Sequence, residues 1–260
     1  IVLSPGISLT KKKNLIKFKR KIITDIDLFY LTNKNLKSIV VTGTNGKSTT
    51  CKLLSHLLKK NRFQVLLGGN IGTPVLNLNI KKNSYVIIEV SSFQLSHSKY
   101  ICPDYAFLLN ITNDHLDWHG NMSNYINSKF KIFNIQKKNQ FALINNQFKK
   151  MFKKRKFKSK LLIPNKKNYE KIKNKIKNFY LKSSINDENM NFVYAFSRLL
   201  RISKNKFIAA MDSFVGLSHR YEIFLKKNNT IFINDSKATS FEATKYALLN
   251  SKNIYWILGG

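Results

Sequence analysis

Three stretches of this 260-residue chain carry side chains that could do chemistry together. The first is Gly43-Thr44-Asn45-Gly46-Lys47-Ser48-Thr49-Thr50, directly after the apolar run Ser38–Thr42. Glycines permit a tight turn whose backbone N–H groups face phosphate oxygens, and a helix starting at Lys47 adds its positive dipole. Lys47 would reach the β- and γ-phosphates of a nucleotide, and the Ser48 or Thr49 hydroxyl would hold Mg²⁺. The general pattern asks for a glycine at position 41, where Val41 stands, so it fails by one residue. The bland alternative is a chance Gly-Lys-Ser turn, but the strand–turn–helix context favours the phosphate loop.

The second stretch runs Tyr85-Val86-Ile87-Ile88-Glu89 and on through Ser91-Ser92-Phe93-Gln94-Leu95. It puts a carboxylate at the C-terminal end of a strand, the edge where open α/β sheets bind ligands. A carboxylate there can hold a hard cation through oxygen, although an exposed strand-end glutamate would look the same in sequence. The third stretch, Asn110-Ile111-Thr112-Asn113-Asp114-His115-Leu116-Asp117-Trp118-His119-Gly120, gathers two histidines and two aspartates in one loop after another strand. A lone histidine is usually structural; this density makes the loop a candidate metal site.

The elements that would position these residues alternate between short apolar runs and amphipathic stretches. Strands are expected over Ser38–Thr42, Gln64–Gly68, Tyr85–Glu89, Tyr105–Asn110 and Phe141–Asn145, and helices over Lys47–Lys60, Asn121–Asn134 and Glu188–Ile202. The alternation predicts an α/β fold with a mostly parallel sheet. Residues 149–182 are Lys-rich with weak periodicity and read as peripheral strands and loops with a solvated face. A strand pair at Tyr221–Lys226 and Thr230–Asn234 follows, then a helix near Ser240–Leu249 and a strand at Ile254; this tail reads as the start of a second α/β domain.

Composition narrows the function classes. There are 46 Lys and Arg against 13 Asp and Glu, a formal charge of +33. Such an excess suggests either a nucleic-acid partner or a bias toward Lys, Asn, Ile, Phe and Tyr. The lysines are spread along the chain without an aromatic-interleaved motif, so no nucleic-acid partner is expected. The diffuse field would still attract anionic substrates. No apolar run reaches the length of a membrane span, so no membrane association is expected. Cys51 and Cys102 lie far apart with no Cys/His cluster near them, which reads as reduced core thiols in a cytoplasmic protein. The chain begins at Ile1 and closes on Gly259-Gly260 after the apolar run Ile254–Leu258, so both ends read as cuts inside folded domains.

The three stretches together resemble the Mur ligase family. Thr42-Gly43-Thr44-Asn45-Gly46-Lys47-Ser48-Thr49 is similar to its compact phosphate loop, the Glu89 string to its Glu-x-Ser-Ser-Phe-Gln-Leu segment, and the His115 string to its Asn-x-x-x-Asp-His-Leu-Asp loop. The resemblance extends over almost the whole chain. It implies an ATP-binding central domain at 26–212, the tail of an N-terminal Rossmann-like domain for the UDP-substrate at 1–25, and the start of a C-terminal Rossmann-like amino-acid-binding domain at 213–260. It implies ATP and two Mg²⁺ ions, with Gly43, Thr44, Asn45, Gly46, Lys47, Ser48 and Thr49 on the phosphates and Ser48, Glu89, His115 and Lys129 as metal ligands. Lys129, in Tyr125-Ile126-Asn127-Ser128-Lys129, matches a lysine that the family converts to a carbamate. Asn70, in Gly68-Gly69-Asn70-Ile71-Gly72, and Gln94 match acyl-substrate contacts, and Ser4-Pro5-Gly6 matches the loop that meets the UDP-sugar.

Gly216-Leu217-Ser218-His219-Arg220-Tyr221-Glu222 and Asn234-Asp235-Ser236-Lys237-Ala238-Thr239-Ser240 are similar to strings of the D-glutamate-adding members. By that match Arg220 and Lys237 meet phosphates, Asp235 meets the ribose, and Thr239 faces D-glutamate. The adenine segment is blurred to Asp187-Glu188-Asn189-Met190-Asn191, from which Asn191 is carried over. Trp118 stands where an arginine or another polar residue is expected, and Ser240 replaces an asparagine. The implied partners are UDP-N-acetylmuramoyl-L-alanine and D-glutamate, the implied reaction is amide formation through an acyl phosphate in peptidoglycan precursor synthesis, and a monomer is expected. The 260-residue chain alone is expected to lack ligase activity. Alternatives are another Mur ligase, a folylpolyglutamate synthase-like enzyme, a decayed relative, or, in a different class, a basic nucleic-acid-binding ATPase.

Overall fold

The computed structural model describes residues 1–9, 12–238, 241–249 and 252–259. Six strands form one parallel sheet: β1 Lys37–Thr42, β2 Val65–Gly69, β3 Tyr85–Glu89, β4 Tyr105–Leu108, β5 Phe141–Ile144 and β6 Lys160–Leu162, in the order β2-β3-β1-β4-β5-β6. Two further strands, β7 Glu222–Lys227 and β8 Thr230–Asn234, pair antiparallel as a separate hairpin. The helices are α1 Asp25–Thr32, α2 Lys47–Lys60, α3 Ser92–His97, α4 Leu116–His119, α5 Met122–Phe130, α6 Lys149–Lys154, α7 Lys166–Lys173, α8 Phe179–Lys182, α9 Asp187–Leu199, α10 Lys204–Asp212 and α11 Phe241–Leu249.

A parallel sheet needs both faces covered, and strict alternation of side chains does this here. Ile39, Val41, Ile87, Phe107 and Leu143 face one cluster with Leu53, Leu57, Val193, Phe196 and Phe207 of α2, α9 and α10. Val40, Val86, Ile88, Ala106, Leu108 and Ile144 face the other, with Ile26, Phe29, Leu95 and Phe130 of α1, α3 and α5. The strand order reverses direction at β1, so β1 has β3 on one side and β4 on the other. The three chemistry-bearing stretches leave these strands at their C-terminal ends, beside one another.

The helix over Lys47–Lys60 and the strand over Tyr85–Glu89 form with the expected bounds. The strand expected to reach Asn110 stops at Leu108, because Asn110 turns to bond the phosphate loop. The helix expected over Asn121–Asn134 ends at Phe130 and continues as a 3-10 turn, Lys131–Phe133. The stretch 149–182 departs most: it is mainly α6, α7 and α8, with only the three-residue β6 as strand. Tyr169, Ile172 and Ile176 recur at helical spacing and are buried in the core, a pattern that the intervening lysines mask. No strand forms at Ile254: residues 252–258 pair with no described strand, and Tyr255 and Ile257 are 95% and 93% exposed. Among the described residues, 1–25 carry a 3-10 stretch, Lys13–Lys21, and a parallel bridge, Val2 to Ile23.

One buried carboxylate fixes α1 against the end of α3. Asp27 makes a reciprocal cap with Thr24, its Oδ2 accepting from the Thr24 N–H at 3.0 Å and its own N–H reaching the Thr24 hydroxyl at 3.1 Å. Its Oδ1 accepts from the Ser98 hydroxyl at 2.8 Å and from the Lys99 and Tyr100 amides at 2.8 and 2.7 Å. Asp27 is fully buried, so removing it strands four donors away from water. Asp27→Ala is expected to lower the unfolding free energy by about 3 kcal/mol in urea denaturation. Asp27→Asn should fall between that variant and the wild type.

Candidate functional site

The phosphate-loop stretch forms a tight turn between β1 and α2. Gly46 sits at φ +79°, a conformation that favours glycine, and a Cβ there would lie 2.2 Å from Asn189 Oδ1 and displace that side chain. The Asn189 side chain also accepts from the Thr50 hydroxyl at 3.2 Å, which ties the start of α9 to the first turn of α2. The other side of the loop is pinned by Asn110. Its backbone carbonyl accepts from Thr44 N at 2.9 Å and its Oδ1 from Asn45 N at 2.8 Å. Its amide group donates to Glu188 at 2.7 Å, and the second Glu188 oxygen accepts from Asn145 at 2.7 Å. Glu188 thus holds the asparagine that holds the loop.

Lys47 curls back over the turn, its Nζ donating to the carbonyls of Gly43 at 3.0 Å and Thr44 at 2.7 Å. Burial pulls its pKa down, Glu89 opposes this, and Arg220 adds to it. Arg220 approaches from the segment before β7 and reaches Ser48 Oγ at 3.5 Å. Lys129 arrives from α5 and donates to the same Gly43 carbonyl at 2.7 Å. It is 1% exposed, and its Nζ lies 4.7 Å from the Tyr125 ring centroid. Burial, reinforced by the charge on Lys47, drives the Lys129 pKa well below its usual value.

Glu89 closes β3 and is buried. Its Oε1 accepts from the Asn70 amide at 3.0 Å, while Oε2 is buried with no hydrogen-bond partner. A carboxylate oxygen left this way is expensive unless something positive occupies the space beside it. The Ser48 hydroxyl and the Glu89 carboxylate are hard oxygen donors of the kind Mg²⁺ accepts. Among the described residues no three His, Cys, Asp or Glu side chains gather as a ready-made metal cage. His115 stands in the left-handed region at φ 53°, half exposed, with Nδ1 3.3 Å from Asp114 Oδ1 and its ring 4.7 Å from Phe93.

The two C-terminal strings, far apart in sequence, interlock. His219 Nδ1 meets the Asn234 amide at 2.9 Å, Tyr221 N donates to Asp235 at 2.9 Å, and Lys237 N donates to the His219 carbonyl at 3.1 Å. This bracing presents Arg220 to the loop, while the Lys237 side chain is exposed. Thr239 lies outside the described residues. Gln94 works as a helix cap: its Oε1 accepts from the Ser91 N–H and hydroxyl at 3.0 and 3.2 Å. Ser4, Pro5 and Gly6 form a turn, Ile7 N donating to Ser4 O at 3.1 Å.

Asn191, the residue carried over from the adenine segment, lines a cavity of about 190 Å³ with Leu162, Ile163, Tyr194 and Arg198, beside β6. The α9 residue at the phosphate loop is Asn189, two positions earlier and on the opposite face of the helix. A second, open cavity of about 470 Å³ among Arg198, Arg201 and Lys204 is likewise lined by none of the loop residues. Asn189, Glu188 and Asn110 went unassigned in the sequence because an amide that props up a loop has no spacing signature.

His119 is 4% exposed, its Nε2 3.0 Å from Ser92 Oγ, and its ring packs between Phe93 and Tyr125. Burial lowers its pKa to about 4. The folded state therefore refuses a proton that the unfolded chain accepts near pH 6.5. Stability should be unaffected by this group above that pH and decline as pH falls toward 4, by up to about 3 kcal/mol. Urea midpoints measured from pH 7.5 to 4 should show a shallower decline for His119→Gln than for the wild type.

Comparison with known proteins agrees with this geometry. The model of the Mur ligase middle domain matches residues 41–206. A UDP-N-acetylmuramoylalanine–D-glutamate ligase from Rickettsia felis is 39% identical over all of this chain and 63% of its own length. A ligase of the same name from Francisella tularensis subsp. tularensis is 37% identical, again over all of this chain and 63% of its own length. The chain thus spans somewhat less than two thirds of the curated relatives it matches. Among solved structures, MurF from Acinetobacter baumannii aligns with a TM-score of 0.66 at 19% identity, covering 87% of this chain and 57% of that one. The MurF ligase from Thermotoga maritima in complex with ADP aligns at 0.65 and 20% identity, covering 86% and 59%. At such identities the structures speak for the fold alone. With a buried glycine turn, a strand-end carboxylate and two converging lysines set on the matched segment, the chain belongs to the Mur ligase family.

Proposed function

We propose that this chain is the ATP-binding part of a ligase that adds D-glutamate to UDP-N-acetylmuramoyl-L-alanine, with residues 1–25 and 213–260 belonging to flanking domains. The observation that carries the reading is the convergence of Lys47 and Lys129 on the Gly43 carbonyl beside the half-satisfied Glu89 carboxylate. The names of the relatives from Rickettsia and Francisella supply the substrates. The reading that this is another Mur ligase is less favoured, because the interlocked His219–Arg220 and Asn234–Asp235 strings resemble those of the D-glutamate-adding members.

In this reading an alanyl carboxylate oxygen attacks the γ-phosphorus of ATP, ADP leaves, and an acyl phosphate remains. The D-glutamate amine then attacks the acyl carbon, loses a proton, and phosphate departs. No enzyme nucleophile is required; positioning and charge neutralisation do the work. The N–H groups of the turn from Gly43 to Ser48 and the Lys47 ammonium hold the phosphates, and Arg220 adds charge from the far side. Ser48 and Glu89 would hold one Mg²⁺ and His115 a second; bound there, the ions would supply neutralisation of phosphate charge. Lys129, as a neutral amine, could take up CO₂: a nitrogen–carbon bond forms, one carbon–oxygen π bond opens, a proton leaves, and the carbamate's two oxygens share one negative charge. By the family resemblance Asn70 and Gln94 would serve the acyl substrate, Asp235 and Lys237 the nucleotide, and Thr239 the D-glutamate. Among the described residues no helix is long and apolar enough to cross a membrane.

Two experiments test this in a chain of its relatives' full length, using coupled phosphate release with ATP, UDP-N-acetylmuramoyl-L-alanine and D-glutamate. Lys47→Ala should lower kcat by at least about 100-fold; wild-type turnover at saturating ATP would refute the loop's role. Lys129→Ala should be nearly inactive and regain part of its rate on addition of acetate, whose oxygens replace those of the carbamate. A fully active Lys129→Ala enzyme would remove the carbamate from the mechanism.

A further inference from the structure

Trp118 occupies the place in the His115 loop where a polar side chain was expected, and its contacts explain why a tryptophan serves there. Its Nε1 donates to the Gly6 carbonyl at 3.2 Å. Its own carbonyl accepts from the Ser8 hydroxyl at 3.4 Å, and Ser8 is buried. Between these two, the Ile7 carbonyl meets His97 Nε2 at 3.1 Å, and the His97 ring lies 5.6 Å from the indole. Three consecutive residues of the N-terminal segment are therefore held by α3 and α4 across more than eighty residues of sequence.

The other face of the indole leads to the chemistry. Trp118 packs on Phe93 at 4.9 Å, and Phe93 in turn packs on His115 at 4.7 Å. His119, 4.6 Å from the indole, packs on Tyr125 at 5.0 Å, and the Tyr125 hydroxyl meets the Thr44 hydroxyl at 3.0 Å. Tyr125 also carries the Lys129 amine over its ring. One side chain thus touches the segment containing Ser4-Pro5-Gly6 and, through Phe93 and His119, both the His115 loop and the phosphate turn. Phenylalanine would keep the ring contacts and lose the N–H; arginine would keep a donor and lose the flat apolar face.

We infer that Trp118 is a positioning residue that straps the N-terminal segment onto the His115 loop, and so sets the seat of the sugar-nucleotide relative to the reacting phosphate. The placement of the sugar-nucleotide rests on the function proposed above; the strap does not. Two measurements separate them. Hydrogen exchange by mass spectrometry on this 260-residue chain follows the peptide covering residues 1–9 in wild type, Trp118→Phe and Trp118→Ala. Exchange there should rise about tenfold in Trp118→Ala and by less in Trp118→Phe, with the peptide covering the phosphate loop unchanged. In a chain of its relatives' length, the same variants should raise KM for UDP-N-acetylmuramoyl-L-alanine by about tenfold for alanine and less for phenylalanine, with KM for ATP unchanged.

Unchanged exchange in both variants overturns the strap. Faster exchange with an unchanged KM for the sugar-nucleotide overturns the positioning role and leaves a purely structural contact. If the wild-type enzyme shows no D-glutamate-dependent turnover, the proposed function fails, and the exchange experiment alone still decides whether Trp118 holds the segment. Should Trp118→Ala fail to fold, the Trp118→Phe pair of measurements carries the test.

Discussion

The carbonyl oxygen of Gly43 is the point on which the site is built. Two lysine side chains from different helices donate to it, Lys47 at 3.0 Å and Lys129 at 2.7 Å. Two ammonium charges so close repel, and this repulsion adds to the cost of desolvation. Burial lowers the pKa of both amines: Lys129, sealed beneath Tyr125 at the end of α5, is driven well below its usual value with the Lys47 charge adding to the shift, while Glu89 opposes the shift at Lys47. One carbonyl thus gathers two amines into different electrostatic surroundings. That gathering depends on the turn geometry, in which Gly46 takes φ +79°, a conformation that favours glycine.

The turn is held by neighbours that make no direct claim to chemistry. Asn110 bonds the loop through both its backbone and its side chain, and Glu188 orients Asn110 while also binding Asn145 at the end of β5. The next residue on α9, Asn189, closes against Gly46. A single helical turn of α9 thus supports the loop from two sides. The strand order β2-β3-β1-β4-β5-β6 makes this possible, because it brings the ends of β1, β3, β4 and β5 to one edge beneath the start of α9. The shortening of β4 to Leu108 belongs to the same arrangement: Asn110 leaves the sheet in order to hold the loop.

Much of this was legible in the chain. Period-two and continuous apolar runs gave the five longer strands of the sheet, and the spacing after Lys47 gave α2 to its last residue. The candidate residues Gly43 to Thr49, Asn70, Glu89, His115, Lys129 and Arg220 come from six separate segments and fall at one sheet edge. What sequence could not convey was burial and direction. Asn191 and Asn189 differ by two positions, which on a helix is more than half a turn, and only the packing of α9 shows which one faces the loop. In residues 149–182 lysines at nearly every other position hid the apolar stripe Tyr169, Ile172 and Ile176. At Ile254 the composition is that of a strand, but a strand exists only where a neighbour completes its ladder, and none is described there.

The charge of the chain gives the same lesson at larger scale. Forty-six Lys and Arg face thirteen Asp and Glu, yet the described ion pairs lie outside the phosphate turn. Most of the positive charge is therefore uncompensated and solvated, a field that draws anions but is screened within about 10 Å at ordinary salt. It cannot single out one lysine. Lys47 and Lys129 differ from most of their counterparts by desolvation, which also lowers the pKa of Lys131 where it meets the Ser96 carbonyl. A further positive charge near the turn would lower the Lys47 pKa further, as Arg220 does. Glu89, with one oxygen on Asn70 and the other buried without a hydrogen-bond partner, is the counterweight that raises the Lys47 pKa against burial and Arg220. The same carboxylate that supports the lysine thus keeps an oxygen whose burial only a positive neighbour would offset.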